Sequence, residues 1–252
     1  MNDAIKVRIL QGDPVIKDVR NASPPKLYRG LPKIEDKPCP DNCKKCVELC
    51  PTNAIEVNPL KINLGLCVFC PICEEGCPEN IIHFTNDCHL AVSSKEQLIV
   101  SKETKKISPA KAELKIRNYF GKSLKLRQIS AGGCNGCELE LNALSNVNFD
   151  MGRYGIEFVA SPRHADGIVI TGPLTKNMAK ATEICFEAVP APKIIILFGA
   201  CAISGGIFQN SQTIDRSFLT NNNIDLFIPG CPPHPLTFIN GLLDWLDKKT
   251  TP

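Results

Sequence analysis

Cysteine is the residue type whose number and spacing point most directly to chemistry in this chain. The sequence has 14 cysteines among 252 residues. Its first residues contain no basic segment followed by an apolar one, so we expect no secretory signal and a cytoplasmic location. Disulfides are rare in a reducing compartment. The sequence therefore predicts cysteines that bind metal or take part in redox reactions.

Eight of the cysteines lie in two short segments with related spacing. They are Cys39, Cys43, Cys46, Cys50, Cys67, Cys70, Cys73 and Cys77. The last three of the first segment recur 27 positions later as the last three of the second, and a proline follows Cys50 and Cys77. Such a duplication predicts one small unit made twice. Closely spaced thiolates on a tight loop can hold three irons of one cubane, while the cysteine before proline reaches the cubane of the other repeat.

This pattern, C-x2-C-x2-C-x3-C-P, resembles that of the two-[4Fe–4S] bacterial ferredoxins over about residues 38–84. The resemblance implies two clusters, whose ligands we call group A and group B. Group A is Cys39, Cys43, Cys46 and Cys77, and group B is Cys67, Cys70, Cys73 and Cys50. Cys39 departs from the pattern because three residues, instead of two, separate it from Cys43. A pair of zinc sites is the alternative, because Cys-x2-Cys pairs also bind zinc.

Four further cysteines follow segments that are typical of buried strands. Strands are expected at 124–129, 155–160, 167–171, 193–198 and 224–228, with helices around 138–146, 176–188 and 235–247. This alternation predicts an α/β fold with a doubly wound parallel sheet. The cysteines Cys134, Cys137, Cys201 and Cys231 then lie in loops at the carboxyl ends of strands, where open α/β sheets place their ligands.

The motifs around these four cysteines resemble one family. They are GCNGCELE from residue 133, SPRHAD from 161, GPLT from 172, GAC from 199 and PGCPP from 229. Together they are similar to the small, cluster-bearing subunit shared by [NiFe]-hydrogenases of the energy-converting and formate-hydrogenlyase type and by respiratory complex I. The resemblance implies a flavodoxin-like domain with one [4Fe–4S] cluster on Cys134, Cys137, Cys201 and Cys231, which we call group C. The two residues between Cys134 and Cys137 favour the hydrogenase branch, because the complex I subunit has adjacent cysteines there.

The two cysteine patterns predict two domains in a soluble chain of near-neutral charge, with 29 basic and 26 acidic residues. An α+β ferredoxin-like two-cluster domain is expected over 1–95, and a flavodoxin-like domain over 123–252. The region between them, 96–122, is predicted to be a basic linker with one helix. No nucleic-acid-binding module is recognisable, so this basic stretch indicates a solvated linker or a surface for an acidic partner. The longest uncharged stretch, 194–214, is broken by glycines and is not expected to span a membrane.

The remaining candidate residues each have a structural and a functional interpretation. Cys88 and Cys185 belong to no group and are expected to be buried structural thiols, although Cys88 beside His89 could be an extra ligand. Glu138 and Glu140 stand at an expected helix start, where acidic residues are stabilised. The functional alternative is that one of them, Glu138 first, faces a partner subunit and relays protons.

Three predicted clusters indicate a subunit that transfers electrons and is not catalytic alone. The resemblance implies a [NiFe]-hydrogenase-type large subunit as the obligate partner, because no Cys-x2-Cys pairs are left in this chain for nickel. The other end of the relay would meet a soluble ferredoxin, another iron–sulfur subunit or a formate dehydrogenase subunit, and membrane subunits only through such partners. Two alternatives are a complex I-like or hydrogenase-related module that reduces quinone or another acceptor without H2, and a non-enzymatic ferredoxin-type carrier or zinc-stapled scaffold.

Overall fold

The N-terminal part of the protein is built from short elements. A computed structural model describes residues 2–12, 14–40 and 43–248. The elements before residue 121 are α1 (Asp3–Gln11), β1 (Pro32–Ile34), α2 (Lys45–Leu49), β2 (Ile55–Glu56), β3 (Lys61–Asn63), α3 (Ile72–Glu75), β4 (Ile82–Phe84), β5 (Ile99–Ser101) and α4 (Leu114–Phe120). Strands β1 and β4 form an antiparallel pair, and β2, β3 and β5 form an antiparallel sheet in the order β2-β3-β5.

The duplication in the sequence is also a duplication in the structure. Each repeat contributes one short helix followed by one strand, α2 then β2 in the first and α3 then β4 in the second. The first residues of the two strands, Ile55 and Ile82, are both buried and stand at equivalent positions of the repeat. The same local sequence therefore makes the same turn, helix and strand twice.

The range expected to be a linker, 96–122, begins with ordered structure of the N-terminal sheet. Strand β5 pairs with β3 through Ile62 and Val100, and Leu98 and Val100 are fully buried. Leu98, Ile99 and Val100 are consecutive apolar residues, of which Leu98 and Val100 face the core while Ile99 is exposed. Helix α4 is the one helix expected in the range, and it spans Leu114–Phe120.

The C-terminal part is an α/β domain around five parallel strands. Its elements are β6 (Leu124–Ser130), α5 (Gly136–Ala143), β7 (Ile156–Phe158), β8 (Gly167–Thr171), α6 (Lys176–Glu187), β9 (Ile194–Phe198), α7 (Ala200–Ser204), α8 (Ser217–Asn221), β10 (Leu226–Ile228) and α9 (Pro235–Trp245). Every residue of β8, β9 and β10 is buried, as expected for strands covered on both faces.

The sheet order confirms the flavodoxin-like prediction. The strands lie in the order β7-β6-β8-β9-β10 and all pairs are parallel. Counted from the first strand of the domain this is 2-1-3-4-5, the flavodoxin-like order. The order reverses between β6 and β8, and ligands of such sheets bind at the carboxyl ends of the strands beside this point. The loops after Ser130 and Thr171 lie there.

The N-terminal part packs directly onto the α/β domain. The Val92 and Phe227 backbones exchange hydrogen bonds of 3.0 and 2.9 Å, and the Asn240 side chain donates to the Val19 carbonyl at 3.0 Å. One continuous apolar core contains Leu64 of the N-terminal part together with Ile203 and Phe227. No helix in the described part of the chain is long and apolar enough to cross a membrane.

Candidate metal centres

The four cysteines of group A lie together, although one of them comes from the second repeat. The pKa of the Cys46 thiol is raised by burial and then by the neighbouring thiols of Cys39, Cys77 and Cys43. Across the longer gap, the Cys43 amide donates to the Pro40 carbonyl at 3.0 Å. Cys39 lies beside Cys43 and Cys77. Residues 41 and 42 of this gap lie outside the described residues.

Group B is assembled in the same way and is more buried. Burial raises the pKa of the Cys67 thiol to about 12, and the thiols of Cys73, Cys50 and Cys70 raise this pKa as well. Cys50 of the first repeat thus joins three cysteines of the second. The thiols of the two repeats are thus interleaved, and the interlocked ligand sets implied by the ferredoxin resemblance stay a prediction.

The residues after each Cys-Pro pair explain why the repeat extends beyond the cysteines. Asn53 and Asn80 both have left-handed backbone conformations, with φ of 53° and 50°. Asparagine tolerates this conformation better than most residues. In each repeat, the left-handed asparagine turns the chain back toward the cysteine. The amides of Ala54 and Ile81 then donate to the sulfurs of Cys50 and Cys77, at 3.2 and 3.4 Å. Hydrogen bonds to sulfur stabilise a thiolate and tune a bound cluster.

Group C brings together four cysteines from three strand ends. Burial raises the pKa of the Cys137 thiol, and the Glu138 carboxylate and the other three thiols of the group raise it further. Burial likewise raises the pKa of Cys201 to about 11, followed by the effects of Cys231 and Cys134. The four thiols are thus neighbours in the structure, and their binding of one cluster stays a prediction.

Glycine makes room where backbone and thiols meet in group C. Gly199, at the end of β9, has a φ of 94°, and a Cβ added there would lie 2.6 Å from the Cys137 sulfur. Gly206 has a φ of 55°, and its Cβ would lie 3.0 Å from the Cys201 sulfur. Any larger residue would occupy space that the group needs.

The three groups form a row with group B in the middle. The pKa of the Cys73 thiol in group B is raised to about 12 by burial first, and the Cys46 thiol of group A is among its further causes. In group C, partial desolvation of the sulfur and then the thiols of Cys134 and Cys70 raise the pKa of Cys231, and Cys70 belongs to group B. Cys39 at one end and Cys134 and Cys231 at the other are exposed, whereas the cysteines of group B are buried or half-buried.

The donor sets fit [4Fe–4S] clusters by their chemistry. Each group offers four thiols, and a cubane is ligated at four different irons, so its ligands surround it and need not converge on one atom. In the described ranges, no set of three or more histidine, cysteine or acidic side chains could hold a single metal ion. The ligand assignments remain predictions.

Comparison with known proteins places the C-terminal domain in a family. Residues 134–245 match the family model described as the 20 kDa subunit of NADH ubiquinone oxidoreductase. The chain is 35% identical over 130 residues to the probable membrane-bound hydrogenase subunit mbhJ of Pyrococcus furiosus, covering 52% of this chain and 78% of that one. The chain belongs to the 20 kDa subunit family. This match confirms the resemblance that the motifs around Cys134, Cys137, Cys201 and Cys231 indicated.

Relatives of the 20 kDa subunit family come from both branches that the motifs indicate. Formate hydrogenlyase subunit 7 of Escherichia coli is 40% identical over 125 residues, which cover 48% of this chain and 49% of that one. A subunit of the NADH-quinone oxidoreductase of Citrifermentans bemidjiense is 42% identical over 115 residues, covering 44% and 65%. The expectation of an oxidoreductase subunit is confirmed. The family match contains all four cysteines of group C and lies outside groups A and B, so the ferredoxin-like domain stays a prediction.

Glu138, the candidate proton relay, lies inside the domain at the point where the strand order reverses. Its side chain is 6% exposed and accepts hydrogen bonds from the Ser130 hydroxyl at 2.7 Å and the Thr171 hydroxyl at 2.6 Å. These hydroxyls come from the ends of β6 and β8. Glu138 therefore links β6 and β8 through these two hydrogen bonds, and it directly follows Cys137 in the chain. Its role in proton transfer remains a prediction.

Arg216 is a residue of the site that the sequence did not reveal. Its guanidinium donates to the carbonyl of Pro173 at 3.1 Å and to those of Cys201, Ala202 and Ile203 at 3.2, 2.7 and 2.8 Å. The residue stands before α8, outside every motif of the family resemblance. No sequence signal linked it to Cys201, because the contact depends on how the loop after α7 folds back.

Residues 28 and 29 connect the loops of groups B and C. Arg29 donates to the carbonyl of Phe69 at 2.6 Å, and Phe69 precedes Cys70. Tyr28 packs edge-on against the ring of His234, three residues after Cys231. This N-terminal segment thus contacts both loops at the place where the two groups are neighbours.

Cys88 and Cys185 lie outside the three groups; Cys88 is buried as expected, whereas Cys185 is not fully buried. Cys88 is 1% exposed in the apolar core, and burial raises the pKa of its thiol to about 11. Cys185 is half-buried on α6, where burial raises the pKa of its thiol and Arg127 lowers it. His89 pairs with Asp87 at 3.0 Å instead of extending a cysteine group.

Proposed function

We propose that this chain is the electron-transfer subunit of a [NiFe]-hydrogenase-type complex in the cytoplasm. Three [4Fe–4S] clusters, held by groups A, B and C, would each carry one electron at a time. The observation that carries the proposal is the row of three four-thiol groups with exposed cysteines at both ends. Group C lies in the domain that hydrogenase and complex I relatives share, and group A lies in the ferredoxin-like part.

The chain's own residues prepare each group for a cluster. Burial disfavours a free thiolate, as the raised pKa values of Cys67 and Cys73 indicate, so binding to iron would stabilise the deprotonated form. The amides of Ala54 and Ile81 direct their hydrogens at Cys50 and Cys77. Such contacts offset the negative charge of a thiolate-bound cluster.

The large subunit is proposed to bind at the group C end. Cys134 and Cys231 are exposed there, and large apolar side chains beside the group are exposed too, with Leu139 at 60% and Ile207 at 61%. Exposed apolar residues next to a functional site are typical of a subunit interface. Oxidation of one H2 in the large subunit would give two protons and two electrons, and the electrons would leave singly through groups C, B and A.

The group A end is proposed to meet a low-potential partner. Exposed Cys39 brings this group to the protein surface, as a docking ferredoxin, another iron–sulfur subunit or a formate dehydrogenase subunit requires. In the reverse direction the same row would deliver electrons to protons in the large subunit. Any membrane association would come from partner subunits.

A second candidate function is a complex I-like module that reduces quinone or another acceptor without H2. The 42% identity to a subunit of an NADH-quinone oxidoreductase favours it. Against it stands the separation of Cys134 from Cys137 by two residues. The large subunit decides between the two, since hydrogenase activity requires nickel-binding cysteines there.

Anaerobic purification of the tagged chain with its partners tests the proposal. We expect about twelve irons per chain, three reduced-cluster signals in electron paramagnetic resonance (EPR), and a nickel-containing large subunit. The Cys88→Ser variant is the matched control and should keep all the iron. About four irons per chain, or zinc in place of iron, would refute the three-cluster proposal. A nickel-free partner with quinone reductase activity would establish the second candidate.

A further inference from the structure

Arg216 holds the loop of one proposed cluster ligand with an unusually complete set of hydrogen bonds. Three of its four acceptors are the carbonyls of Cys201, Ala202 and Ile203, which lie in α7. The last carbonyls of a helix have no partner within the helix. The fourth acceptor, Pro173, belongs to the loop after β8. One guanidinium thus ties the loop after β8 to the helix that carries Cys201.

The same guanidinium places a positive charge beside group C. It lies 3.2 Å from the Cys201 carbonyl oxygen and also contacts the next two carbonyls of the same helix. An arginine stays charged at every physiological pH. Arg216 therefore places one fixed positive charge beside Cys201.

We propose that Arg216 is a positioning residue that raises the reduction potential of the cluster bound by group C. The inference depends on the proposed function in one respect, that Cys201 is a ligand. A [4Fe–4S] cluster with four thiolates becomes more negative by one charge when it accepts an electron, and no proton is needed. A nearby positive charge stabilises that reduced form, and net charge is one of the factors that set cluster potentials.

The expected size follows from Coulomb's law. A unit charge on the order of 10 Å from the cluster, at an effective dielectric constant near 20, changes the ratio of reduced to oxidised cluster by roughly tenfold. For a one-electron couple, tenfold corresponds to about 59 mV. Removal of the charge should lower the potential of this cluster and leave those of groups A and B nearly unchanged.

Two variants of the full chain, purified with its partners, separate charge from hydrogen bonding. Arg216→Gln removes the charge and keeps donors, whereas Arg216→Lys keeps the charge and loses the planar fork. The readouts are iron content and an anaerobic redox titration followed by EPR, with the group C signal assigned as the one missing in Cys231→Ser. Arg117→Gln is the control, because Arg117 pairs with Asp247 at the opposite end of the sheet at 3.0 Å.

The supporting result is a lower potential of the group C signal in Arg216→Gln, with a near wild-type potential in Arg216→Lys and in the control. An unchanged potential in Arg216→Gln, or an equal shift in both variants, would overturn the inference. If Arg216→Gln loses about four irons, the Arg216→Lys variant decides. Retained iron in Arg216→Lys supports a role for the positive charge, whereas the same loss of iron shows that only the hydrogen bonds of the planar guanidinium matter and overturns the inference. Absence of the third cluster from the wild-type protein would instead refute the proposed function.

Discussion

Gly199 is the position where a single added methyl group should remove one cluster and leave the other two. Its φ of 94° lies in the left-handed region, and an added Cβ would meet the Cys137 sulfur at 2.6 Å. With a ψ of 156°, this backbone conformation is essentially restricted to glycine and costs roughly 1–3 kcal/mol for another residue. The contact cannot relax without displacing Cys137, a proposed ligand of group C. We therefore expect Gly199→Ala to hold about eight irons instead of about twelve.

The assay is iron content per chain together with EPR of the reduced protein. Loss of iron should coincide with loss of one of three cluster signals, and urea unfolding should show lower stability by about 1–3 kcal/mol. Gly152→Ala is the matched control, because nothing lies within 4 Å of a Cβ at that position. We expect Gly152→Ala to keep its iron and to change stability by less than about 1 kcal/mol.

A Gly199→Ala protein with all its iron and three unchanged signals would refute this reasoning. It would mean either that the loop after β9 adjusts freely or that Cys137 binds no cluster. Equal losses from Gly199→Ala and Gly152→Ala would show a general sensitivity of the domain and not a clash with the cysteine.

Three further predictions test other parts of the structure. Cys77→Ser should abolish the group A cluster although Cys77 lies in the second repeat, so loss of the group B signal instead would contradict the interlocked arrangement. Cys88→Ala should keep all the iron and lower stability by about 1 kcal/mol in urea unfolding, and lost iron would make Cys88 a ligand. The pKa of His89 is raised by its hydrogen bond to Asp87, so the pair stabilises the fold below the unfolded pKa near 6.5 and loses this effect as pH rises through the folded value. His89→Gln should therefore be less stable than wild type at pH 5.5 and equal to it at pH 9 in urea unfolding, whereas an equal deficit at both pH values would exclude the ion pair as the cause.

Local sequence predicted the elements that depend on near neighbours. The apolar runs at 167–171 and 193–198 are the fully buried strands β8 and β9, because a strand covered on both faces needs apolar residues throughout. The Cys-Pro repeats predicted one unit made twice, and the equivalent turns at Asn53 and Asn80 have this origin. The stretch at 99–101 was assigned to a linker because three residues give too short a pattern to reveal a strand that pairs with β3.

Contacts between distant residues were beyond the reach of these patterns. Glu138 at a helix start could equally have faced solvent, and its burial beside Ser130 and Thr171 depends on where β6 and β8 end relative to each other. Arg216 had no motif, because its acceptors lie in helix α7 and in the loop after β8, and no spacing pattern relates them to Arg216. Their positions follow from packing of the whole domain.

The sequence by itself determined which family the α/β domain belongs to, through the motifs around its cysteines, and the number, spacing and proline neighbours of the cysteines predict which thiols share a cluster. Only the tertiary structure decided the order of the three groups. Cys46 lies near Cys73, and Cys70 lies near Cys231. The spacing of cysteines in the sequence does not predict these proximities. They arise because the N-terminal part and the α/β domain pack together through an apolar core and not through a motif.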